Sequence, residues 1–227
     1  MRINERSLGL IEDFGNKIIH ILGCGAIGSS ASTQLCRMGA EKFVLYDLDS
    51  VEIQNIGVSH YVFKDVGKNK VDALKRHLKN INPHCDVDVE FGRFSAFVKP
   101  LGEDDIVILG FDSMDSRLEA ATAALTKRNR PFAIIDGRMG AEEYHQFVLK
   151  NPTLREYKDT WYSDANATDE PCNAKATSYC SNMSGAFIAN AIKRLLTKED
   201  CPKQFLFTFP GLALGYTDDS SYIKPTA

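Results

Sequence analysis

The run IIHILGCGAIGSS at 18–30 sets Gly23, Gly25 and Gly28 between a strand-like apolar stretch and a helix-like one. Glycines at that spacing let backbone approach a phosphate, and the following helix offers an anion its free N–H groups and the positive end of its dipole. Asp47 lies 24 residues after Gly23, at the end of the next apolar run. A carboxylate there accepts both ribose hydroxyls and repels a 2′-phosphate, which disfavours NADP. Further along come Asp49, Asn55, then Gly67-Lys68-Asn69-Lys70 opening a helical stretch, and Asp112 closing another strand-like run. Two lysines at a helix start add positive charge where anions are already favoured. An aspartate at a strand's carboxyl end can hold Mg²⁺ through one carboxylate beside substrate phosphates. A triphosphate suits this set better than a dinucleotide, which requires neither the lysines nor Asp112. Taken singly the residues have plainer roles: Asp47 and Asn55 in turns, Lys68 and Lys70 as solvated surface, Asp112 as a helix cap.

Positioning such a set takes strands whose ends line up. Apolar runs of strand length occur at 17–22, 43–47, 85–91, 105–110 and 131–136, mostly separated by helical patterns. That alternation predicts an α/β fold: a Rossmann-like, mostly parallel sheet with helices on both faces. Leu35 and Met38 share the inward side of the first helix, whose Ser29, Ser30 and Ala31 are small enough for close approach to the sheet. Val71, Leu74 and Leu78 form the inward stripe of a second helix that stops before Asn82-Pro83, and a third runs over about 113–127. After Asp136 the pattern changes, and 144–150 and 204–209 read as antiparallel strands added in the C-terminal part. Residues 151–176 show no period, as befits a functional crossover, a lid or a disordered stretch. Met183, Phe187, Ile188, Ile192, Leu195 and Leu196 then mark a last long helix. The expectation is a single domain over 1–227, with a nucleotide-binding core at 17–140 and a crossover loop at 151–180.

The chain has 227 residues, 44% of them apolar, a net charge of −3 and six cysteines. No Lys/Arg run exceeds a pair, so nucleic acid and membrane surfaces are not expected partners. The start MRINERSLGLIEDFG mixes charge through any would-be signal segment, and no long apolar run follows, which predicts a cytoplasmic protein. The cysteines form no Cys-x-x-Cys pair, which argues against a disulfide framework or a four-thiolate zinc site. Of the five histidines, His20 falls inside the first strand and the others form no spaced set, so no catalytic histidine stands out.

The segments GCGAIGS (23–29), YDLDSVEIQN (46–55), DVGKNKVDAL (65–74), INP (81–83), FDSMDSR (111–117) and IIDGRMG (134–140) occur in an order and spacing that resembles the ThiF/MoeB/ubiquitin-activating-enzyme family. The resemblance implies ATP- and Mg²⁺-dependent adenylation of the C-terminal carboxylate of a small ubiquitin-like or sulfur-carrier protein. It further implies that the loop of Gly23, Gly25 and Gly28 embraces the phosphates, that Asp47 holds the ribose with Asp49 alongside, that Asn55 and Lys70 contact phosphates, and that Asp112 binds Mg²⁺. Arg117 matches an arginine of the family's following helix, though it could simply pair with Asp115 or Glu119. A homodimer is implied too, with the N-terminal segment reaching the neighbour's site.

There are departures. The family's arginine three residues after Asn55 is Val58 here, leaving Lys68, Arg138, or Arg2 or Arg6 of a second subunit to supply the charge. Its paired Cys-x-x-Cys motifs are missing, so no structural zinc is expected. DEPCNAKATSYCSN (169–182) is similar to a Pro-Cys segment of short, phage- or plasmid-type ThiF-like proteins. Many relatives pass the adenylate to a thiol, and Cys172 in the crossover is the better candidate, ahead of Cys180 at a helix start, where a lowered pKa would help. Two other readings stand: an NAD-dependent oxidoreductase, and a non-catalytic subunit that binds a nucleotide or a ubiquitin-like protein, which Val58 favours.

Overall fold

The structure, a computed structural model, describes residues 3–11, 14–126, 130–163 and 176–218. Its strands are β1 (Ile19–Leu22), β2 (Lys42–Asp47), β3 (Asp86–Phe91), β4 (Ile106–Leu109), β5 (Ala133–Gly140), β6 (Glu143–Lys150), β7 (Gln204–Thr208) and β8 (Ala213–Thr217). The helices are α1 (Ala26–Arg37), α2 (Lys70–Ile81), α3 (Met114–Leu125), α4 (Leu154–Thr160) and α5 (Ser178–Leu196). One sheet holds all eight strands in the order β3-β2-β1-β4-β5-β6-β7-β8. β1 pairs in parallel with both β2 and β4, so strand order reverses at β1, where α/β sheets open a crevice for ligands. β6, β7 and β8 join by antiparallel pairing, as the change of pattern after Asp136 implies.

Alternation along each strand sorts the core into two layers. Ile19 and Ile21 of β1 face a cluster built with Leu35 of α1, Leu74 and Leu78 of α2, and Ile188 and Ile192 of α5. Leu22 faces the opposite cluster, with Ala120, Ala121 and Ala124 of α3 and Tyr157 of α4. Each fully buried Ile or Leu contributes ~1.5–3 kcal/mol. The stripe Val71, Leu74 and Leu78 is buried as its spacing predicts. Close approach of α1 to the sheet is seen at Gly28, where a Cβ would lie 2.9 Å from Ile21 Cγ2, and Ala31 shares the cluster of Ile19 and Ile21. Ser30 serves a further neighbour, α5: a Cβ on Gly185 would lie 2.2 Å from its Oγ. Ser181 Oγ donates to Ala26 O at 3.0 Å, tying the start of α5 to the first turn of α1.

The stretch 151–176 is not structureless throughout. Thr153 and Glu156 cap each other reciprocally and start α4, whose Tyr157 and Thr160 are buried. Seven residues offer too few turns to show a period, yet TLRE carries the capping signal. The third helix is shorter than expected, Met114–Leu125, and no helix among the described residues is long and apolar enough to cross a membrane.

Candidate nucleotide site

The glycine loop is shaped by two clashes that side chains would cause. Gly23 has φ +91°, and a Cβ there would sit 2.6 Å from the Gly110 carbonyl carbon; one on Gly28 would sit 1.9 Å from Gly23 O. Packing makes no such demand at Gly25, where a Cβ would meet nothing within 4 Å. Gly25 is also the N-cap of α1 and supplies no side-chain cap, so bare backbone faces open space at the positive end of that helix.

Beside the loop, Asp47 ends β2 and accepts Cys24 N–H at 2.7 Å and Asp49 N–H at 2.8 Å. One carboxylate thus fixes the glycine loop to the β2 turn, keeping further lone pairs for other donors. Burial pushes the Asp47 carboxyl above its ordinary value, against the pull of Lys70 and the two N–H groups. Lys70 is the first residue of α2 and its ammonium lies 2.7 Å from Asp49 Oδ2. Its own burial would lower the ammonium's pKa; Asp47 and Asp49 outweigh that and raise it, so Lys70 stays charged. Tyr61 Oη donates to Cys24 O at 2.5 Å and lies 3.3 Å from Lys70 O, joining loop and helix from below.

Asp112 enters from the other side of β1. Gly110 N–H donates to Leu22 O at 2.7 Å, which lays the end of β4 against the root of the glycine loop, and two residues later Asp112 stands exposed. It is not a helix cap: Ser113 caps α3 by accepting Ser116 N–H. A solitary exposed carboxylate fits Mg²⁺ that is held largely by phosphates and water, and among the described residues no group of three or more His, Cys, Asp or Glu could hold a metal.

Gly23, Cys24, Asp47, Asp49 and Lys70 are thus one bonded network, with Asp112 next to it. Asn55 does not join them. It lies in a 3₁₀ turn, Ile53–Gly57, where its Oδ1 accepts Glu52 N–H at 2.8 Å. Arg138 cannot replace the arginine missing at Val58, since its guanidinium binds Asp136 Oδ2 at 2.7 Å and Thr160 O at 2.8 Å. Lys68 is freer, 3.9 Å from Asp65 and exposed; Arg6 is exposed, and Arg2 lies outside the described residues. Cys172 also lies outside them. Cys180 is described and fully buried, its Sγ 3.6 Å from Glu143 O, so it is not placed for attack on an adenylate.

Arg117 pairs with neither Asp115 nor Glu119. Its Nη1 donates to Asp136 Oδ1, to Leu109 O at 3.2 Å and to Gly137 O at 2.8 Å. Asp136, with no exposed surface, therefore sits between two guanidinium groups and also accepts Tyr157 O–H at 3.2 Å. Sequence reasoning gave this aspartate no role. Next to it His145 is held down to about 4 by burial and by the Arg138 charge. An unfolded chain takes a proton near 6.5 that the fold refuses until about 4, so stability is full above pH 6.5 and declines as pH falls toward 4. His145→Gln should flatten that decline, measured as urea midpoints from pH 7 to 4.

A cleft of about 510 Å³ between α5 and β7–β8, lined in part by Phe187, Arg194, Phe205, Leu214 and Tyr216, includes none of the glycine-loop residues.

Comparison with known proteins adds three findings. The ThiF family matches residues 3–217. A tRNA threonylcarbamoyladenosine dehydratase of Bacillus subtilis is 37% identical over 87 residues, 37% of this chain and 34% of the relative. Ubiquitin-like modifier-activating enzyme 5 of Drosophila ananassae is 30% identical over 132 residues, 52% of this chain and 33% of the relative. The chain spans about a third of the length of these curated relatives. Among solved structures, PaaA superposes with TM-score 0.71 at 20% identity, covering 94% of this chain and 77% of its own. Escherichia coli MccB with AMPCPP and MccA gives 0.69 at 17%, covering 92% and 65%.

Proposed function

Because the chain belongs to the ThiF family, we propose that it is an adenylyltransferase that uses ATP to activate a carboxylate, the C terminus of a small ubiquitin-like or sulfur-carrier protein. The observation that carries this reading is the network of glycine loop, Asp47, Asp49 and Lys70 beside Asp112, at the point where strand order reverses. A nicotinamide site would need neither Lys70 nor Asp112 there.

In this reading the substrate carboxylate attacks the α-phosphorus of ATP, the bond to the pyrophosphate oxygen breaks, and pyrophosphate leaves. Two anions must meet, so charge does most of the work. The open backbone at Gly25 and the start of α1 receive phosphate oxygens, and Asp47 accepts the ribose hydroxyls. Lys70 exchanges Asp49 for phosphate. That exchange keeps the buried ammonium paired throughout, and the released Asp49 carboxylate is half exposed and can be taken up by water. Asp112 would hold Mg²⁺, which supplies neutralisation of phosphate charge when bound. No general base is required, because a carboxylate is already ionised at pH 7. Cys172 is the candidate for any later thioester, its thiolate attacking the adenylated carbonyl and displacing AMP, and a homodimer remains part of the proposal.

The name of the Bacillus subtilis relative includes a tRNA. A net charge of −3 without a basic run favours a peptide or protein carboxylate over a polyanion here. The deciding experiment is thermal stabilisation by Mg-ATP and by NAD. A ligand at 100 times its dissociation constant adds ~2.7 kcal/mol to the folded state. Stabilisation by Mg-ATP that weakens in Asp112→Ala is the expected result; stabilisation by NAD alone would make the protein an oxidoreductase.

A further inference from the structure

Asp112 forms part of a short loop whose two flanks are held by side chains. On the β4 side, Arg117 Nη1 donates to Leu109 O at 3.2 Å. On the α3 side, the indole N–H of Trp161 donates to Met114 O at 2.7 Å. The two clamps differ in origin. Arg117 belongs to α3 itself and is committed to Asp136, whereas Trp161 ends α4, 47 residues from Met114 in sequence. Phe111, immediately before Asp112, and the Trp161 ring both pack against the apolar cluster that includes Leu22, Leu109 and Tyr157, so loop and indole are seated on one foundation. Trp161 is partly buried, and an indole N–H drawn out of water normally finds an acceptor. Here the acceptor is a carbonyl in the first turn of the helix that begins just after Asp112.

We propose that Trp161 is a positioning residue for Asp112: by fixing Met114 O in the first turn after the loop, it holds the carboxylate where a nucleotide-bound divalent cation meets it. The proposal rests on the adenylation reading, in which Asp112 meets that cation. A charged group at the end of an unclamped loop samples many positions, and a displacement of ~1 Å can cost up to about 100-fold in a positioned interaction. Trp161 is the sole tryptophan of the chain, so tryptophan emission reports on the surroundings of this one indole.

The test records wild-type emission while Mg²⁺ is titrated into protein saturated with ATP. Alongside it, calorimetry measures ATP affinity with Mg²⁺ and with EDTA for wild type, Trp161→Phe and Asp112→Asn. The expected result is a Mg²⁺-dependent emission change that Asp112→Asn abolishes. Trp161→Phe should match wild type within about twofold in EDTA and lose at least about fivefold of the affinity gained from Mg²⁺, consistent with a misplaced carboxylate. Emission indifferent to Mg²⁺, or a Trp161→Phe variant with the full Mg²⁺ gain, overturns the positioning role and leaves adenylation standing. An affinity lost equally in EDTA also overturns it, by showing that Trp161 supports the fold in general. Wild type that binds no ATP in either condition overturns the adenylation reading itself.

Discussion

Asp136→Ala should cost ~3–5 kcal/mol of folding stability, the penalty for stripping the counter-charge from buried cations. In the native fold Arg138 donates to Asp136 through Nε at 3.1 Å and Nη2 at 2.7 Å, while Arg117 and Tyr157 take up the rest of the carboxylate. Both guanidiniums are almost wholly buried, and Asp136 holds Arg138 in its charged form against that burial. Removing the acid leaves them facing each other across β5. Asp136→Asn keeps the shape and one acceptor and should fall between wild type and Ala. Burial alone would raise the Asp136 carboxyl; the Arg138 and Arg117 charges overcome this and hold it below its ordinary value. Its contribution is therefore present above about pH 4 and is lost as pH falls through the lower native value. Urea unfolding at pH 7 checks the substitution: a loss under 1 kcal/mol would mean that the cluster does not hold β5 and α3 together.

Lys70→Ala should give the opposite combination, a folded protein with little activity. Its partner Asp49 is half exposed, although Lys70 itself is buried and also steadies Asp47, so the loss of stability should stay at about 0.5–3 kcal/mol, below that of Asp136→Ala. Adenylate formation, followed as ATP–pyrophosphate exchange with the carboxylate substrate present, should fall at least about tenfold and up to ~10²–10³-fold, as for loss of other preorganised charge partners. Asp112→Ala should fall by a similar factor. Unchanged exchange in both variants would remove these residues from the site. If both results hold, Asp136 and Lys70 would separate a charge that holds the sheet from one offered to a substrate.

Those two residues also show what could be read from the chain alone. Lys70, Asp47 and the glycines sit at ends of elements whose periodicity is local and strong, so their clustering follows once the strands are taken as parallel. Asp136 lies in IIDGRMG, but its meaning depends on Arg117, 19 residues earlier, folding back across the strand end. No local pattern encodes that return. β8 is harder to read for another reason: Ala213–Thr217 is a five-residue run whose Leu214 and Tyr216 alternate with small residues but stay exposed, so no buried stripe supports the pattern. Cys180 was correctly placed at a helix start, yet its burial comes from packing against the β5–β6 hairpin, which its neighbours in sequence do not disclose.

The contact of Gly185 with Ser30 bears on how this chain comes into being. A ribosome finishes β1 to β5 and α1 to α3 well before α5 is made, so one side of α1 must wait uncovered through roughly 150 residues of synthesis. Chain length therefore does not translate into independent folding for 17–140. A truncated chain ending there should be sticky and poorly packed, and native structure should arrive late, in a step governed by long-range closure.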